Sequence, residues 1–190
     1  MKTDLLTLIL FCVFAVPLAA EEKEKVYQTH KICSAEESAK RIETAIRERI
    51  RKLEGELTPQ DYQRVKSLSL KGMGLTDITP LSKLTHITHL NLDYNEISDL
   101  TPLTGLVNLE KLHLGSNQIT DLSPLENLAE LQFVILFRNQ ISDLSVTGNW
   151  SKLEHLALYC NPVSDISPLH ELENLKKVKL QGNPVPPQAL

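Results

Sequence analysis

Apolar and polar residues follow one another in a fixed order from residue 65 onward. Residues 87–108 read ITHLNLDYNEISDLTPLTGLVN, and the same order returns as LEKLHLGSNQITDLSPLENLAE in residues 109–130 and as LEHLALYCNPVSDISPLHELEN in residues 153–174. The period is 22 residues, and five full copies with a partial sixth fit residues 65–190 without an insertion. A period of this length predicts a solenoid, because each copy buries its apolar side against its neighbours.

Each copy predicts two short elements. Leu90 and Leu92 alternate with polar residues, which indicates a short strand with one buried side. Stacked copies would pair these strands in a parallel sheet, about 4.8 Å from strand to strand. Later in the copy, Thr101-Pro102 predicts a hydroxyl N-cap and a proline at the first position of a short helical turn. The leucine behind this pair should be buried in each such copy: Leu81, Leu103, Leu125 and Leu169.

Two polar residues recur at fixed positions of the copies, although the first copy has Met73 in place of the asparagine. An asparagine follows the strand at Asn95, Asn117, Asn139, Asn161 and Asn183. We expect a buried ladder of amides that bond backbone groups of adjacent copies. An aspartate precedes the helical turn at Asp77, Asp99, Asp121, Asp143 and Asp165. These aspartates indicate bonds to nearby backbone N–H groups rather than a calcium or other metal site, since carbonyl-rich metal loops are missing from the sequence.

The segment before the repeats, residues 21–64, has a helical pattern. Ser34 and Glu37 form a capping box. Apolar residues then recur every three or four positions, at Ala39, Ile42, Ile46, Ile50 and Leu53. This predicts an amphipathic helix of about 19 residues that ends near Gly55, with a second helix beginning at Thr58-Pro59. Because the end of a solenoid exposes its core, we expect these helices to cover the first repeat.

The first 20 residues have the pattern of a secretory signal. An uncharged apolar run, residues 5–16, follows Lys2 and is ended by Pro17. Its length is short against a bilayer core of about 30 Å, so no membrane span is expected after cleavage at Ala20. The predicted organisation is a signal peptide in residues 1–20, a helical cap in residues 21–64 and repeats in residues 65–190. The predicted location is secreted or periplasmic.

Copies such as NEISDLTPLTGLVNL and NQITDLSPLENLAEL resemble the internalin-type leucine-rich repeats of bacterial secreted and surface proteins. The segment IETAIRERIRKLEGELTPQDYQRVKSLSLKGMGLTDITPL resembles the helical cap that precedes such repeats. The resemblance implies an α/β solenoid, a leucine-rich-repeat right-handed superhelix. Its curved parallel sheet would form the concave face, and its short helical turns the convex face. It also implies a soluble binding module, without naming the partner.

One strand differs from the others in its outward residues. In FVILFRNQ, residues 133–140, Val134 and Leu136 take the inward positions, so Phe133, Ile135 and Phe137 are predicted to face out on the concave surface. An exposed apolar patch with a polar rim is typical of a binding surface, and aromatic and arginine anchors carry much of the binding energy. The predicted partner-binding residues are Phe133, Ile135, Phe137, Arg138, Tyr159, His155, Lys111, His113 and Tyr94.

Two further features bear on this patch. Gly115 and Ser116 lack large side chains, so a hollow is expected beside it. The aromatic residues have an alternative interpretation, in which they only stabilise contacts between neighbouring strands. On the other side of the same copy, Thr147 replaces a leucine and Trp150 takes an inward position, so Trp150 is expected in the core.

Cys33 and Cys160 lie about four strand spacings, or roughly 20 Å, apart in the predicted solenoid. A disulfide needs Cα atoms within about 7 Å, so an intramolecular bridge is not expected. Pairing of either cysteine with another chain is left open by the sequence.

Composition and motifs narrow the function. The formal charge of −4 over 190 residues argues against nucleic acid as the main partner. The histidines are spread along the chain, and no zinc spacing, nucleophile elbow or phosphate loop occurs. We therefore predict a non-enzymatic protein-binding module without cofactor. Two alternatives stay open: a glycan-binding module that uses Tyr94, Phe137 and Tyr159, and a structural protein that self-assembles through Leu175, Val178 and Leu180.

Overall fold

The structure, a computed structural model, describes residues 32–186. Two α-helices come first, α1 (Ala35–Ile50) and α2 (Pro59–Gln63). Six strands follow: β1 (Ser67–Ser69), β2 (His89–Asn91), β3 (Lys111–His113), β4 (Phe133–Ile135), β5 (His155–Ala157) and β6 (Lys177–Lys179). Between them lie five 3-10 helices: η1 (Thr79–Lys83), η2 (Thr101–Leu103), η3 (Ser123–Leu125), η4 (Ser145–Asn149) and η5 (Ser167–Glu171).

The strands form one parallel sheet in chain order, β1 to β6. Each strand residue pairs with the residue 22 positions further along the chain, so Leu90 lies opposite Leu112, and Leu112 lies opposite Val134. These central residues are buried and the residues on either side are exposed or half-buried. The chain is thus a leucine-rich-repeat solenoid, as the period predicts. The helical turns are 3-10 rather than α, because each copy has room for only one short turn.

The repeats share one continuous apolar core. The leucines behind the Ser-Pro and Thr-Pro pairs are buried as predicted: Leu81, Leu103, Leu125 and Leu169. Trp150 is fully buried, and its Nε1 donates a hydrogen bond to the carbonyl oxygen of Leu125 at 3.0 Å. Thr147 is fully buried too, and its Oγ1 donates to the carbonyl oxygen of Leu144 at 2.7 Å. The irregular copy therefore satisfies both of its buried polar atoms.

The asparagine ladder is present and joins adjacent copies. Asn117 is typical: its Oδ1 accepts the N–H of Ile97 at 3.1 Å, and its Nδ2 donates to the carbonyl oxygens of Leu92 and Leu114, both at 3.0 Å. The same pattern of bonds holds Asn95, Asn139, Asn161 and Asn183. The ladder satisfies backbone groups that a 22-residue coil would otherwise bury without partners.

The aspartates, not the hydroxyl residues, cap the 3-10 helices. Thr101 is the first residue of η2, and the residue before it makes no side-chain cap bond, so the predicted hydroxyl N-cap is wrong. Asp99 instead accepts the N–H of Thr101 at 2.8 Å, two residues further on. Hydrogen bonds from the Thr101 hydroxyl and N–H lower the pKa of Asp99, since they stabilise its ionised form. The prediction that these aspartates serve the backbone is confirmed.

The cap helix α1 is shorter than its apolar pattern predicts. Its capping box between Ser34 and Glu37 is present, but the helix ends at Ile50 because Arg51 takes the left-handed conformation, with φ of 57°. Leu53 therefore lies outside the helix and is 76% exposed, which corrects the predicted end near Gly55. Ile42, Ile46 and Ile50 are buried in the same core as the repeats.

Arginines of α1 tie the cap to the first repeat. Arg41 Nη1 donates to the carbonyl oxygen of Met73 at 2.6 Å, and Arg49 Nε donates to that of Ser67 at 2.8 Å. Met73 stands where later copies have their asparagine, and its own carbonyl oxygen is bonded by the cap. These two basic side chains therefore hold the cap helix on the first repeat.

Cys33 and Cys160 are both buried, and no disulfide joins them. The Sγ of Cys33 donates to the carbonyl oxygen of Met73 at 3.3 Å. Their burial leaves little sulfur surface for pairing with another chain.

The signal-peptide prediction concerns residues that the structure does not describe. Within residues 32–186, none of the helices has the length and apolar character needed to cross a membrane.

Candidate binding surface

The side chains that point away from the core form three rows across the sheet, which we call the strand face. The first two rows are the first and third residues of each strand, and the third row lies two residues after the strand ends. The parallel pairing continues there, with bonds such as that from the Ser116 N–H to the carbonyl oxygen of Phe137. The first row is Ser67, His89, Lys111, Phe133, His155 and Lys177. The second is Ser69, Asn91, His113, Ile135, Ala157 and Lys179, and the third is Lys71, Asp93, Gly115, Phe137, Tyr159 and Gln181.

Phe137 lies on the strand face but is packed into it. Its ring stacks on that of Tyr159, with centroids 4.8 Å apart and planes 3° from parallel. Tyr94 meets it edge-on, with centroids 5.8 Å apart. Only 7% of Phe137 is exposed, so the expectation that its side chain is exposed on the strand face is wrong. Of the three apolar residues predicted to face out, Phe133 and Ile135 are thus the half-exposed ones.

Gly115 explains why Phe137 lies flat. A methyl group at Gly115 would overlap the Phe137 ring, so the ring occupies the space that any side chain at this position would need. The hollow predicted beside Gly115 and Ser116 is therefore filled by the neighbouring strand's aromatic residue. Glycine is required here for the close approach of the ring and not for its backbone freedom.

A second stack involves the first row. The rings of Phe133 and His155 lie 4.5 Å apart and 17° from parallel. The Nζ of Lys111 lies 5.3 Å from the centre of the Phe133 ring. These residues are consecutive in the row, so Phe133 is held between a lysine and an imidazole while remaining half-exposed. Its position is fixed before any partner binds.

The predicted site residue His113 contacts Asp93, the acidic residue of the strand face. Asp93 is buried, and its Oδ1 accepts the N–H of Gly115 at 2.7 Å. Its Oδ2 lies 3.6 Å from Nδ1 of His113. Asp93 thus fixes the backbone of the next strand and one edge of the His113 ring.

One backbone feature escaped sequence analysis. The residues directly before the ladder asparagines take left-handed backbone angles: φ is 59° at Tyr94, 54° at Ser116, 51° at Arg138 and 58° at Cys160. Such angles cost roughly 1–2 kcal/mol for residues other than glycine. Gly72 and Gly182 occupy the same position in the first and last copies, also with positive φ. These two glycines are the sequence signal from which the left-handed turn could have been predicted. This turn places Tyr94 against Phe137 and under Lys71, whose Nζ lies 4.9 Å from its ring centre.

Tyr159 stays neutral over the ordinary pH range. Burial raises the pKa of its hydroxyl to about 12, and the neighbouring Tyr94 adds to that shift. An uncharged phenol suits a ring that stacks on Phe137.

Among residues 32–186, no three histidine, cysteine or acidic side chains are grouped so that they could hold a metal ion. An open groove of about 600 Å³ lies at the β6 end of the solenoid. The residues that line it include His170, Leu175, Val178, Leu180 and Val185.

Comparison with known proteins gives concordant matches. The family model described as "Leucine Rich repeats (2 copies)" matches residues 63–105 and 107–148. Among solved structures, the internalin InlF of Listeria monocytogenes is 31% identical with a TM-score of 0.73, over 76% of this chain and 44% of that one. Internalin C2 of Listeria monocytogenes is 32% identical with a TM-score of 0.55, over 77% of this chain and 85% of that one.

A leucine-rich-repeat protein of Leptospira interrogans is 28% identical with a TM-score of 0.64, over 68% of this chain and 34% of that one. The sequence comparison with curated proteins found no significant match.

The repeats, the amide ladder and the single parallel sheet define a leucine-rich-repeat protein. Within that class, the chain belongs to the internalin-like family of bacterial leucine-rich-repeat proteins. It spans under half of the length of InlF, at 44%, and most of the length of internalin C2. A solenoid of this class is a typical protein-binding scaffold, because its curved sheet offers an extended concave surface.

Proposed function

We propose that the protein is a secreted or periplasmic, non-enzymatic binding protein that holds a protein partner on its strand face. The observation that carries this proposal is the state of Phe133, a half-exposed aromatic ring fixed between Lys111 and His155. Ile135 lies beside it in the next row and is half-exposed too. An apolar anchor whose position is already fixed loses little conformational entropy when it binds.

Three aromatic residues beside this surface support it, of which Phe137 is buried and Tyr94 and Tyr159 are half-buried. Phe137, Tyr159 and Tyr94 lock one another across three copies, so the face around Phe133 and Ile135 is rigid. The recurrent polar residues give no support to catalysis, since the asparagines and aspartates bond the backbone of their own or adjacent copies. Together with the pattern of a secretory signal in residues 1–20, these features favour a binding role outside the cytoplasm.

The proposal is tested by affinity capture from the source organism's extracytoplasmic extract. Wild type is compared with Phe133→Asp, which places a charge on the strand face, and with Val107→Asp, which does so at a position 48% exposed outside the three rows. A captured protein is purified and its affinity measured directly. We expect Phe133→Asp to weaken binding at least tenfold and Val107→Asp to leave it unchanged. Equal binding by Phe133→Asp, with folding verified by circular dichroism, would place the contact elsewhere.

For glycan binding, fewer aromatic rings are available to stack on a sugar than the sequence predicts. One face of Phe137 is covered by Tyr159 and the other by the backbone at Gly115, so a sugar would have to stack on Tyr94 or Tyr159. Binding to a glycan array that depends on Tyr94, without any protein partner, would favour that alternative.

Self-assembly is a second candidate, and the groove at the β6 end favours it. Leu175, Val178 and Leu180 line this groove and are only partly buried. A mass that rises with concentration in light scattering, and that stays constant in Val178→Asp, would support assembly through this edge.

A further inference from the structure

The two ends of the repeat stack differ in how they are covered. At the β1 end, helix α1 buries its isoleucines against the repeats, and Arg49 Nε donates to the carbonyl oxygen of Ser67 in β1. At the other end, β6 is the last strand of the sheet. No helix or strand follows it up to residue 186. Among the described residues, the cap therefore covers one end of the sheet and leaves the β6 edge open.

The apolar positions of the last copy are partly open as well. Leu156 and Leu158 take the inward positions of the copy that contains β5, and both are buried. Val178 and Leu180 take the same positions one copy later and are only half-buried. Together with Leu175 they line the groove of about 600 Å³ at this end. Because each earlier copy is covered by the next, this groove is where the inward side chains of a further strand would lie.

The backbone at this edge continues the pattern of the earlier copies. One copy before, the N–H of Leu158 donates to a carbonyl oxygen of the last copy at 2.9 Å, and the N–H of Val163 donates to Oδ1 of Asn183 at 3.1 Å. Leu180 and Val185 are the equivalent residues of the last copy. Their N–H groups would make the same bonds to a strand and an asparagine placed beside β6. An open edge of this kind can pair with a strand of another chain.

The outward side chains of β6 define the charge of this edge. Lys177 and Lys179 are both exposed, and β6 alone among the six described strands has lysine at both outward positions. The Glu154 carboxylate, next to β5, pairs with Lys176 at 2.9 Å. In the described part of the chain, neither outward lysine forms an ion pair. A strand that pairs with β6 would therefore meet two exposed cations.

These lysines disfavour a second copy of the chain as the occupant of the edge. A two-fold contact between β6 edges would be antiparallel, and alignment of their apolar sides would place lysine opposite lysine. Like charges directly opposite one another destabilise a strand pair, and lysine on an edge strand protects against self-pairing. Head-to-tail stacking would need the β1 end, which α1 covers. Carboxylates opposite Lys177 and Lys179 would instead be attracted.

We propose that the β6 edge binds an extended segment of another protein, which adds to the sheet as a further parallel strand. The segment carries acidic residues opposite the two outward lysines and apolar residues over the groove. An asparagine three positions after the second apolar residue would accept the N–H of Val185 and continue the ladder. This contact is separate from the surface around Phe133 and does not depend on the proposed function.

The probes are two peptides built on the chain's own residues 153–163, LEHLALYCNPV. The acidic peptide carries His155→Glu and Ala157→Glu, and the basic peptide carries His155→Lys and Ala157→Lys. Both carry Cys160→Ser, which removes the thiol. Each labelled peptide is titrated with the purified chain, and binding is followed by fluorescence anisotropy. We expect the acidic peptide to bind at least tenfold more tightly, because its carboxylates would lie opposite the lysines of β6.

A third peptide tests whether the segment binds as a strand. In β6, the N–H of Lys177 donates to the carbonyl oxygen of Glu154 at 3.1 Å. In the same register, the N–H groups of the two introduced glutamates would donate to carbonyl oxygens of β6. N-methylation of both glutamates removes these donors and should weaken binding at least tenfold. A peptide held by its side chains alone would keep its affinity.

A charge reversal locates the contact on the chain. Lys177→Glu with Lys179→Glu should invert the preference, so that the basic peptide binds more tightly than the acidic one. An unfolded variant could not show such a gain. The matched control is Lys40→Glu with Lys66→Glu, which makes the same change in net charge at exposed positions in α1 and before β1. It should change both affinities less than twofold, and Phe133→Asp should bind the acidic peptide as wild type does.

Several results would overturn the inference. An acidic peptide that does not saturate up to about 1 mM would do so, since binding that weak is worth only about 4 kcal/mol. Equal affinity for the acidic and basic peptides, unchanged affinity after N-methylation, or loss of the peptide in Phe133→Asp would each do so too. A mass that rises with concentration in light scattering, and that stays constant in Val178→Asp, would assign the edge to a second copy of the chain.

Discussion

The copies in residues 109–130 and 131–152 have the same backbone and different surfaces. Their strands β3 and β4 pair in register, and each is followed by a ladder asparagine with the same three bonds, Asn117 in one copy and Asn139 in the next. On the strand face the first copy presents Lys111, His113 and Gly115. The second presents Phe133, Ile135 and Phe137.

The difference shows that the outward surface of one copy depends on the residues of the copies beside it. Phe137 lies flat only because Gly115 leaves space for it, and Phe133 is flanked by Lys111 on one side and His155 on the other. Positions that hold the backbone repeat from copy to copy, while positions that face out fit the copy beside them. Substitutions at the positions that hold the backbone should therefore reduce stability equally in both copies. Substitutions at the outward positions should have different effects in the two copies.

The largest effect is expected from the ladder. In Asn139→Ala, the N–H of Ile119 and the carbonyl oxygens of Leu114 and Leu136 lose an amide that bonds them at 2.9–3.0 Å. Buried groups left without partners cost about 1–3 kcal/mol each, so we expect a loss of about 3 kcal/mol or more in the free energy of unfolding. Asn117→Ala should lose the same amount, measured by urea unfolding.

The control for the ladder is Asn127→Ala, because Asn127 is exposed and follows η3. It should change the free energy of unfolding by less than about 0.5 kcal/mol. A difference of more than about 1 kcal/mol between Asn117→Ala and Asn139→Ala would show that the two copies do not share their backbone energetics.

The next effect tests the fit between the copies. Gly115→Ala should cost about 2 kcal/mol, because the added methyl group meets the Phe137 ring, which is held on its other face by Tyr159. Gly105→Ala adds a methyl group to open space and should not destabilise the fold. Thermal or urea unfolding of both variants measures the difference.

A double-mutant cycle attributes that cost to the ring. Combining Gly115→Ala with Phe137→Leu should recover about 1 kcal/mol relative to the sum of the single changes, since the smaller side chain has room to move. Additive losses would mean that Gly115 serves the backbone and not the ring.

Gly115 and Phe137 also show which features of the structure could be predicted from the sequence and which could not. The period and the apolar spacing predict the sheet, its register and the buried leucines, because one copy contains all the information needed. The ladder follows from the recurrence of asparagine at one register. The rotation of Phe137 onto Gly115 depends on a residue 22 positions earlier, so alternation along a single strand could only place it outward.

Local backbone geometry accounts for other differences. The left-handed angle at Arg51 ends α1 before Leu53, although the apolar spacing continues. At η2, Asp99 reaches the N–H of Thr101 and takes the place of the hydroxyl cap that the Thr-Pro pair suggests. In both cases the pattern of residue types fits two geometries, and the hydrogen bonds select one.

A smaller effect is expected at the caps of the same two copies. Asp121 accepts both the N–H and the hydroxyl of Ser123, at 2.8 and 2.7 Å, whereas Asp143 accepts the N–H of Ser145 at 2.8 Å. Asp121→Ala should cost about 1 kcal/mol, as loss of a helix cap usually does, and Asp143→Ala somewhat less. Urea unfolding at neutral pH measures both, and a larger loss for Asp143→Ala would reverse the expected order.

The least change at neutral pH is expected at the helical cap, where the effect is recognised by its pH dependence. The pKa of Asp61 is held well below its usual range, first by a hydrogen bond from Lys52 and then by bonds from the N–H and hydroxyl of Thr58. In the unfolded chain the pKa of an aspartate is about 3.9. The stabilisation from Asp61 is therefore fully present above that value and is lost as the pH falls toward the folded pKa.

The isosteric variant Asp61→Asn keeps the shape of the side chain but removes its charge. Its deficit in unfolding free energy relative to wild type should be constant between about pH 7 and 5 and shrink between about pH 4 and 2. A deficit that stays the same down to pH 2 would show that the ion pair with Lys52 contributes nothing to holding the cap on the repeats.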